Sequence, residues 1–261
     1  MSVVHPVATV ANGGAPGSTG GDGTNHKLDV SIWRGGKNGR FVSYGITLRE
    51  SQTVLDVVTY IQRHVDSTLS YRFSCRVGMC GSCAMTVNGV SRWTCRTHVS
   101  EVVKDGRLEI APLSGLEVVK DLSVDMTGFF EKWTRAKGAF VPGPGPSRDF
   151  AVVSPDSPQR RKVDAAIECI GCGVCYAACD VVSWNDDYLG PAALNRAWTL
   201  YNDVRDAGND KRLAAVAGNV GCLSCHSQQS CVKWCPKHLN PTASIAGLKR
   251  ATVKAALAGR L

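Results

Sequence analysis

From Lys27 the apolar residues follow a period of two. Leu28-Asp-Val-Ser-Ile-Trp33 alternates, Gly35-Gly36 interrupts, and Phe41-Val-Ser-Tyr-Gly-Ile46 repeats the pattern, which predicts two strands. The period then lengthens. A segment capped by Ser51 or Thr53 and running to His64 places Leu55, Val58 and Ile61 on one helical face. Asn88-Gly89 predicts a tight hairpin turn between Ala84–Val87 and Ser91–Thr94, and Asp105-Gly106 turns into a further strand, Arg107–Ala111.

After residue 112 helical patterns dominate. One is expected over Val124–Lys137, anchored by Phe129, Phe130 and Trp133, and is followed by an exposed, semi-stiff loop, Val141-Pro-Gly-Pro-Gly-Pro146. Further helices are expected over Pro158–Glu168, from Gly190-Pro191 to near Gly208, over Asn209–Ala217 and over Pro241–Ala258. Residues 1–26 have no periodic pattern and are rich in Gly, Ser, Ala and Thr, the composition of a disordered tail.

Composition changes this picture through one residue type. The chain holds twelve cysteines in 261 residues, and its start, residues 1–11, has no basic n-region. No leader is expected, so the cysteines read as metal ligands and not as disulfides. In the strand-rich part they stand as Cys75-x4-Cys80-x2-Cys83 with Cys95 further on, the plant-type spacing for a 2Fe–2S cluster. Gly78 and Gly81 let the loop wrap closely enough for backbone amides to reach sulfur. The hairpin would return Cys95 to the side of Cys83.

The helical part carries two more runs. Cys169-x2-Cys172-x2-Cys175-x3-Cys179 has the bacterial ferredoxin spacing, in which the fourth cysteine ligates the other cluster. The second run contains Cys222, Cys225, Cys231 and Cys235. Crossover assigns Cys169, Cys172, Cys175 and Cys235 to a 4Fe–4S cluster. It leaves Cys179, Cys225 and Cys231 for the other site, because Gln228 stands where a fourth thiolate is due and an amide is a poor partner for iron. Three thiolates predict a 3Fe–4S cluster. Cys222 is then spare, read as a small buried apolar residue, with a ligand role as the alternative.

These signals give an α+β two-domain chain. Residues 1–26 are the tail, 27–120 an N-terminal β-grasp plant-type ferredoxin domain, 121–150 a connecting helix and Pro/Gly loop, and 151–261 an all-helical bacterial-ferredoxin-like domain. Three clusters of different nuclearity suit the relay of single electrons. Nothing in the chain reads as a nucleophile, an acid/base pair or a nucleotide-binding loop, so no catalytic residue is assigned. A two-electron site such as a flavin is expected on a partner subunit.

The net charge of +8 is uneven: no acidic residue follows Asp210, while eight Lys and Arg residues do. This basic end would offset anionic clusters or face lipid headgroups or an acidic subunit. Nucleic-acid binding is not expected, since aromatic interleaving and a recognised module are missing. No segment reads as a membrane-spanning helix, so membrane association is expected to come through partners.

The order of clusters, together with Arg72-Phe-Ser-Cys-Arg-Val-Gly-Met-Cys-Gly-Ser-Cys83, Lys120-Asp-Leu-Ser-Val-Asp125, Gly190-Pro-Ala-Ala193 and Cys235-Pro-Lys-His-Leu-Asn-Pro241, resembles the iron–sulfur subunits of succinate dehydrogenases and fumarate reductases from about Lys27 onward. The resemblance implies electron transfer between a subunit with covalent FAD and a quinone at one or more membrane-anchor subunits. It implies a peripheral place on the cytoplasmic face of a bacterial inner membrane. It also places quinone-pocket residues just after Cys179 and Cys225, where Trp184 and His226 fit; core packing and a surface imidazole are their plainer readings. Asp180, Ser183 and Gln228 depart from common family residues. Pro236-Lys-His is similar to fumarate reductases, and Ser-Ile-Ala-Gly-Leu-Lys249 to menaquinone-type succinate dehydrogenases. Succinate oxidation with menaquinone is the direction read here, and fumarate reduction is its reverse. A soluble multi-cluster ferredoxin carrier is the reading from another class, and a zinc module or a Cys-Cys-Gly type oxidase or reductase subunit lies further off.

Overall fold

The computed structural model describes residues 27–143 and 150–261; the tail expected at 1–26 and the last part of the Pro/Gly loop, 144–149, lie outside them. The described chain divides into two compact units. One runs through Leu113 and takes in Glu117–Val124; the other holds Ser114–Leu116 and everything from Asp125.

In the first unit, β1 (Lys27–Arg34) and β2 (Arg40–Thr47) form an antiparallel pair. Helix α1 (Val54–His64) starts at Thr53, whose hydroxyl accepts from the Asp56 N–H while the Asp56 carboxylate accepts from the Thr53 N–H. This reciprocal cap satisfies two donors that the first turn leaves free. β3 (Ala84–Val87) and β4 (Val90–Trp93) close the hairpin, with Asn88 at φ 47° and Gly89 at φ 76°, the left-handed pair that a two-residue turn demands. A one-turn helix α2 (Val99–Val102) leads into β5 (Arg107–Ala111), which lies parallel to β1 and antiparallel to β3. The sheet order is β2-β1-β5-β3-β4. Leu28, Val30 and Ile32 from β1 meet Leu55, Val58 and Ile61 from α1 and Leu108 and Ile110 from β5 in one buried core.

A short hairpin of β6 (Val118–Lys120) and β7 (Ser123–Val124), which apolar periodicity does not reveal, completes this unit. The Asp121 carboxylate at its tip is buried, accepts the N–H groups of Gly35 at 2.7 Å and Ser70 at 2.8 Å, and pairs with Arg34 at 3.1 Å. It fastens the hairpin to the end of β1.

The second unit begins with α3 (Thr127–Arg135). Phe129 is buried, but Phe130 is 49% exposed: one step along the helix turns it away from the core, so it is not the anchor that was expected. α4 (Pro158–Val163) is capped by Ser157 and gives way to a 3-10 turn over 164–168 at Asp164, whose φ is 48°. Two one-turn helices lie inside the cysteine runs, α5 (Val174–Ala177) and α9 (Ser230–Lys233), and a third short one, α6 (Asp180–Trp184), follows directly on Cys179. Between them come α7 (Gly190–Tyr201) and α8 (Asn209–Val216), and α10 (Pro241–Leu257) ends the fold. α7 stops well before Gly208. Asn202 turns its amide back to the Trp198 carbonyl at 2.9 Å, and the Asp203 carboxylate accepts the Arg205 N–H, so local side-chain bonds outcompete another helical turn.

α7 and α10 form the centre of this core. At Gly247 a Cβ would stand 2.5 Å from the Trp198 ring, so the indole lies flush on the α10 backbone. The loop after α3 is fastened by Arg212, which donates to the carbonyls of Lys137 and Ala139 and to the Asp206 carboxylate.

Candidate metal centres

The first centre lies around the loop before β3. Arg76, Gly78 and Gly81 all have positive φ, at 58°, 73° and 71°, and this winding turns consecutive amides inward. The Cys75 sulfur accepts from the N–H groups of Val77, Met79 and Cys80 at 3.5, 3.2 and 3.3 Å, and the Cys80 sulfur accepts from the Cys75 N–H at 3.5 Å. A Cβ on Gly78 would lie 2.7 Å from Trp93, so the loop can close only without one. Cys83 and Cys95 are buried at the two ends of the β3–β4 hairpin, tied by the Thr94 hydroxyl on the Cys83 carbonyl at 2.7 Å. Burial pushes the Cys80 thiol up, yet hydrogen bonds from Cys75 and Ser82 outweigh it and hold the group down at about 6. Burial and the neighbouring Cys83 push Cys95 up to about 12.

The second unit contains two separate cysteine-lined cavities. Cys169, Cys172, Cys175 and Cys235 wall the first, with Pro236 and Pro241 among its apolar sides. Gly171 at φ 64° and Gly173 at φ 80° turn the first run around it, and the Leu239 N–H donates to the Cys235 sulfur at 3.4 Å. Burial pushes Cys172 up to about 12 and Cys175 well above the usual thiol range. Taking up iron therefore means releasing protons from neutral thiols.

Cys179, Cys225 and Cys231 wall the second cavity, together with Gln228, Tyr188 and Thr242. Ser227 and Gln229, at φ 58° and 65°, bend the loop between Cys225 and Cys231 around it. Cys222 is not part of this wall. It is fully buried in the helical core, 3.8 Å from the Thr252 hydroxyl. Burial pushes its thiol up.

Among the described residues no three His, Cys, Asp or Glu groups converge on a point as ligands of one ion do. A multi-iron cluster carries its thiolates at separate corners, and cysteines spaced around a cavity, with backbone amides donating to sulfur at Cys75, Cys80 and Cys235, suit it.

Trp184 and His226 stand together beside the second cavity, with ring centroids 6.1 Å apart and edge to face. Trp184 is 61% exposed, so it is not a core residue. Two neighbours here carry no signal in cysteine spacing: the Lys249 ammonium, 2.7 Å from the Cys225 carbonyl, and the Thr242 hydroxyl, 3.4 Å from the Cys231 sulfur. Part of the basic C-terminal charge is held within the unit. Arg212 pairs with Asp206, Lys237 with Glu168, Arg260 with Asp210, and Lys249 with a carbonyl. No helix among the described residues is long and apolar enough to cross a membrane.

A family model for a 2Fe-2S iron-sulfur cluster binding domain matches residues 29–131, and one for a 4Fe-4S dicluster domain matches residues 168–240. The chain is 35% identical to the succinate dehydrogenase iron-sulfur subunit of Paracoccus denitrificans, over 84% of this chain and 83% of that one. It is 34% identical to the fumarate reductase iron-sulfur subunit of Haemophilus influenzae, over 78% of this chain and 82% of that one. In fold it is similar to a chain of the Mycobacterium smegmatis Sdh1 complex, with a TM-score of 0.80 and 24% identity, covering 88% of this chain and 97% of that one.

Proposed function

Because this chain belongs to the family of iron–sulfur subunits of succinate dehydrogenases and fumarate reductases, we propose that it passes electrons from a flavoprotein subunit through 2Fe–2S, 4Fe–4S and 3Fe–4S clusters to a quinone. It is an electron-transfer subunit of an oxidoreductase complex whose dicarboxylate chemistry lies on another chain. Such clusters supply one-electron steps, which let a two-electron donor feed a chain of single carriers.

In this reading Cys75, Cys80, Cys83 and Cys95 hold the first cluster, within a β-grasp ferredoxin domain. The mixed sheet with α1 packed across it supports that fold. Phe73, Val77 and Met79 are exposed around the cysteine loop, an apolar rim suited to the flavoprotein. Cys169, Cys172, Cys175 and Cys235 hold the 4Fe–4S cluster, and Cys179, Cys225 and Cys231 the 3Fe–4S cluster. The observation that carries the reading is the sorting of eight cysteines from two runs: four into one cavity, three into the other and Cys222 into the core. Exposed Trp184 beside His226 offers an aromatic wall and a polar group for a quinone, here menaquinone, held by an anchor subunit at the cytoplasmic face of a bacterial membrane. Succinate oxidation is the direction proposed.

Electron paramagnetic resonance on the complex tests this. A near-isotropic signal in the oxidised state that disappears with succinate, alongside a reduced 2Fe–2S signal, is the expected result. A silent oxidised sample with two interacting reduced cubanes would make a fourth ligand at the last site necessary and sink the 3Fe–4S assignment.

A further inference from the structure

Two cysteines of the second run each meet a threonine of α10, and the two pairs have opposite polarity. The Thr252 hydroxyl donates to the Lys249 carbonyl at 3.0 Å, so its one hydrogen is spent and it can only accept from the Cys222 thiol. Among the described residues the Thr242 hydroxyl has no such carbonyl, and its hydrogen-bond partner is the Cys231 sulfur, at 3.4 Å. A thiolate bound to iron has no proton to give, so in that state Thr242 is the donor.

We propose that Thr242 is a positioning residue that raises the reduction potential of the cluster held by Cys179, Cys225 and Cys231, by donating a hydrogen bond to the Cys231 sulfur. The inference rests on the three-thiolate reading above. An added electron increases negative charge on the ligand sulfurs, and a donor aimed at one of them stabilises the reduced form more than the oxidised one.

The placement of Thr242 makes the effect local. Asn240 caps α10 by accepting the Ala243 N–H at 2.9 Å, and this fixes the first turn between the two cavities. Pro241 then lies in the wall of the four-cysteine cavity, and Thr242 in the wall of the three-cysteine cavity. Proline brings no N–H and no hydroxyl. Consecutive residues thus offer a donor to one site and an apolar surface to the other.

The test is a redox titration of the complex followed by electron paramagnetic resonance, for the native chain, Thr242→Val and Thr242→Ser. Valine keeps the shape and removes the donor. With Thr242→Val, the midpoint of the near-isotropic signal is expected to fall, so that the reduced-to-oxidised ratio at fixed potential drops about fivefold, the ratio an ordinary net hydrogen bond corresponds to. The 2Fe–2S and 4Fe–4S midpoints should stay in place, and Thr242→Ser should restore the native value. An unmoved midpoint at full cluster content overturns the proposal. If Thr242→Val fails to load the cluster, Thr242→Ala is titrated instead, and failure of both while Thr242→Ser loads also overturns it, since Thr242 would then retain the cluster and not tune it. Absence of the near-isotropic signal from the native complex would be a failure of the three-thiolate reading, seen before any variant is made.

Discussion

Arg212 and Asp206 share two hydrogen bonds, Nη1 to Oδ1 at 2.9 Å and Nη2 to Oδ2 at 3.0 Å, with both side chains wholly buried. Asp206 also accepts the N–H groups of Gly208 and Val141, and Arg212 reaches the carbonyls of Lys137 and Ala139. The pair therefore holds the loop after α3 against the start of α8. Arg212→Ala would leave a buried carboxylate without its cation, and is expected to cost about 3–5 kcal/mol by denaturant unfolding. An unchanged midpoint would mean that water replaces the guanidinium.

The same pair has a pH signature. Burial pushes the Asp206 carboxyl up, but Arg212 and the two backbone N–H groups outweigh it and leave it below its ordinary value. The stability it contributes is thus complete above about pH 4, the ordinary carboxylate range, and is lost as pH falls through the lowered value. The native protein should lose this increment on acidification below pH ~4, and Asp206→Asn should flatten that part of the stability curve.

Gln228 lies in the wall of the three-cysteine cavity, and the proposed ligand register puts it where a fourth thiolate is due. Gln228→Cys is expected to admit a fourth iron and abolish most of the near-isotropic oxidised signal. Iron analysis should rise by one atom per complex. An unaltered oxidised spectrum would show that the ligand register is wrong.

Cys222 is buried in the helical core and absent from both cavity walls. Cys222→Ala should retain all three cluster signals and cost about 1 kcal/mol in stability, as a small buried truncation does. Loss of any cluster would make it a ligand.

Trp184 and His226 should matter for quinone and not for iron. Replacing either with Ala is expected to reduce electron transfer to quinone about tenfold or more, the scale of losing an aromatic anchor from a binding site. Succinate-dependent reduction of the clusters should be unchanged. If both rates fall together, the pair supports the cluster fold instead.

Legibility varied with the source of each signal. The first-unit strands, α1 and the Asn88-Gly89 turn were readable because alternation, a cap and a left-handed turn are local properties, and the strand limits shift by a residue at most. The β6–β7 hairpin was not, since its stability comes from Asp121 reaching Gly35, Ser70 and Arg34, far away in sequence. The end of α7 was missed because Asn202 and Asp203 redirect the backbone through side chains that a helical wheel does not weigh. Around the clusters, spacing points to the cysteines, but Thr242 and Lys249 come from a helix whose Ala-rich pattern shows only that it packs. Their placement beside the cysteines depends on where α10 begins.

Gly247 allows α10 to lie on Trp198, and that contact leaves no room for a methyl group. An added methyl there would have to push α10 and the indole apart.

The placing of Cys235 among Cys169, Cys172 and Cys175 also sets a schedule. As the chain leaves the ribosome, the first run emerges with its fourth corner still unmade, and so does the site at Cys179. On the proposed assignment both cages would close only when the last turns before α10 have been synthesised. Until then the nascent unit would offer unpaired thiols to oxygen and stray metal, so on the proposed assignment iron delivery would wait until the chain through Cys235 has been made.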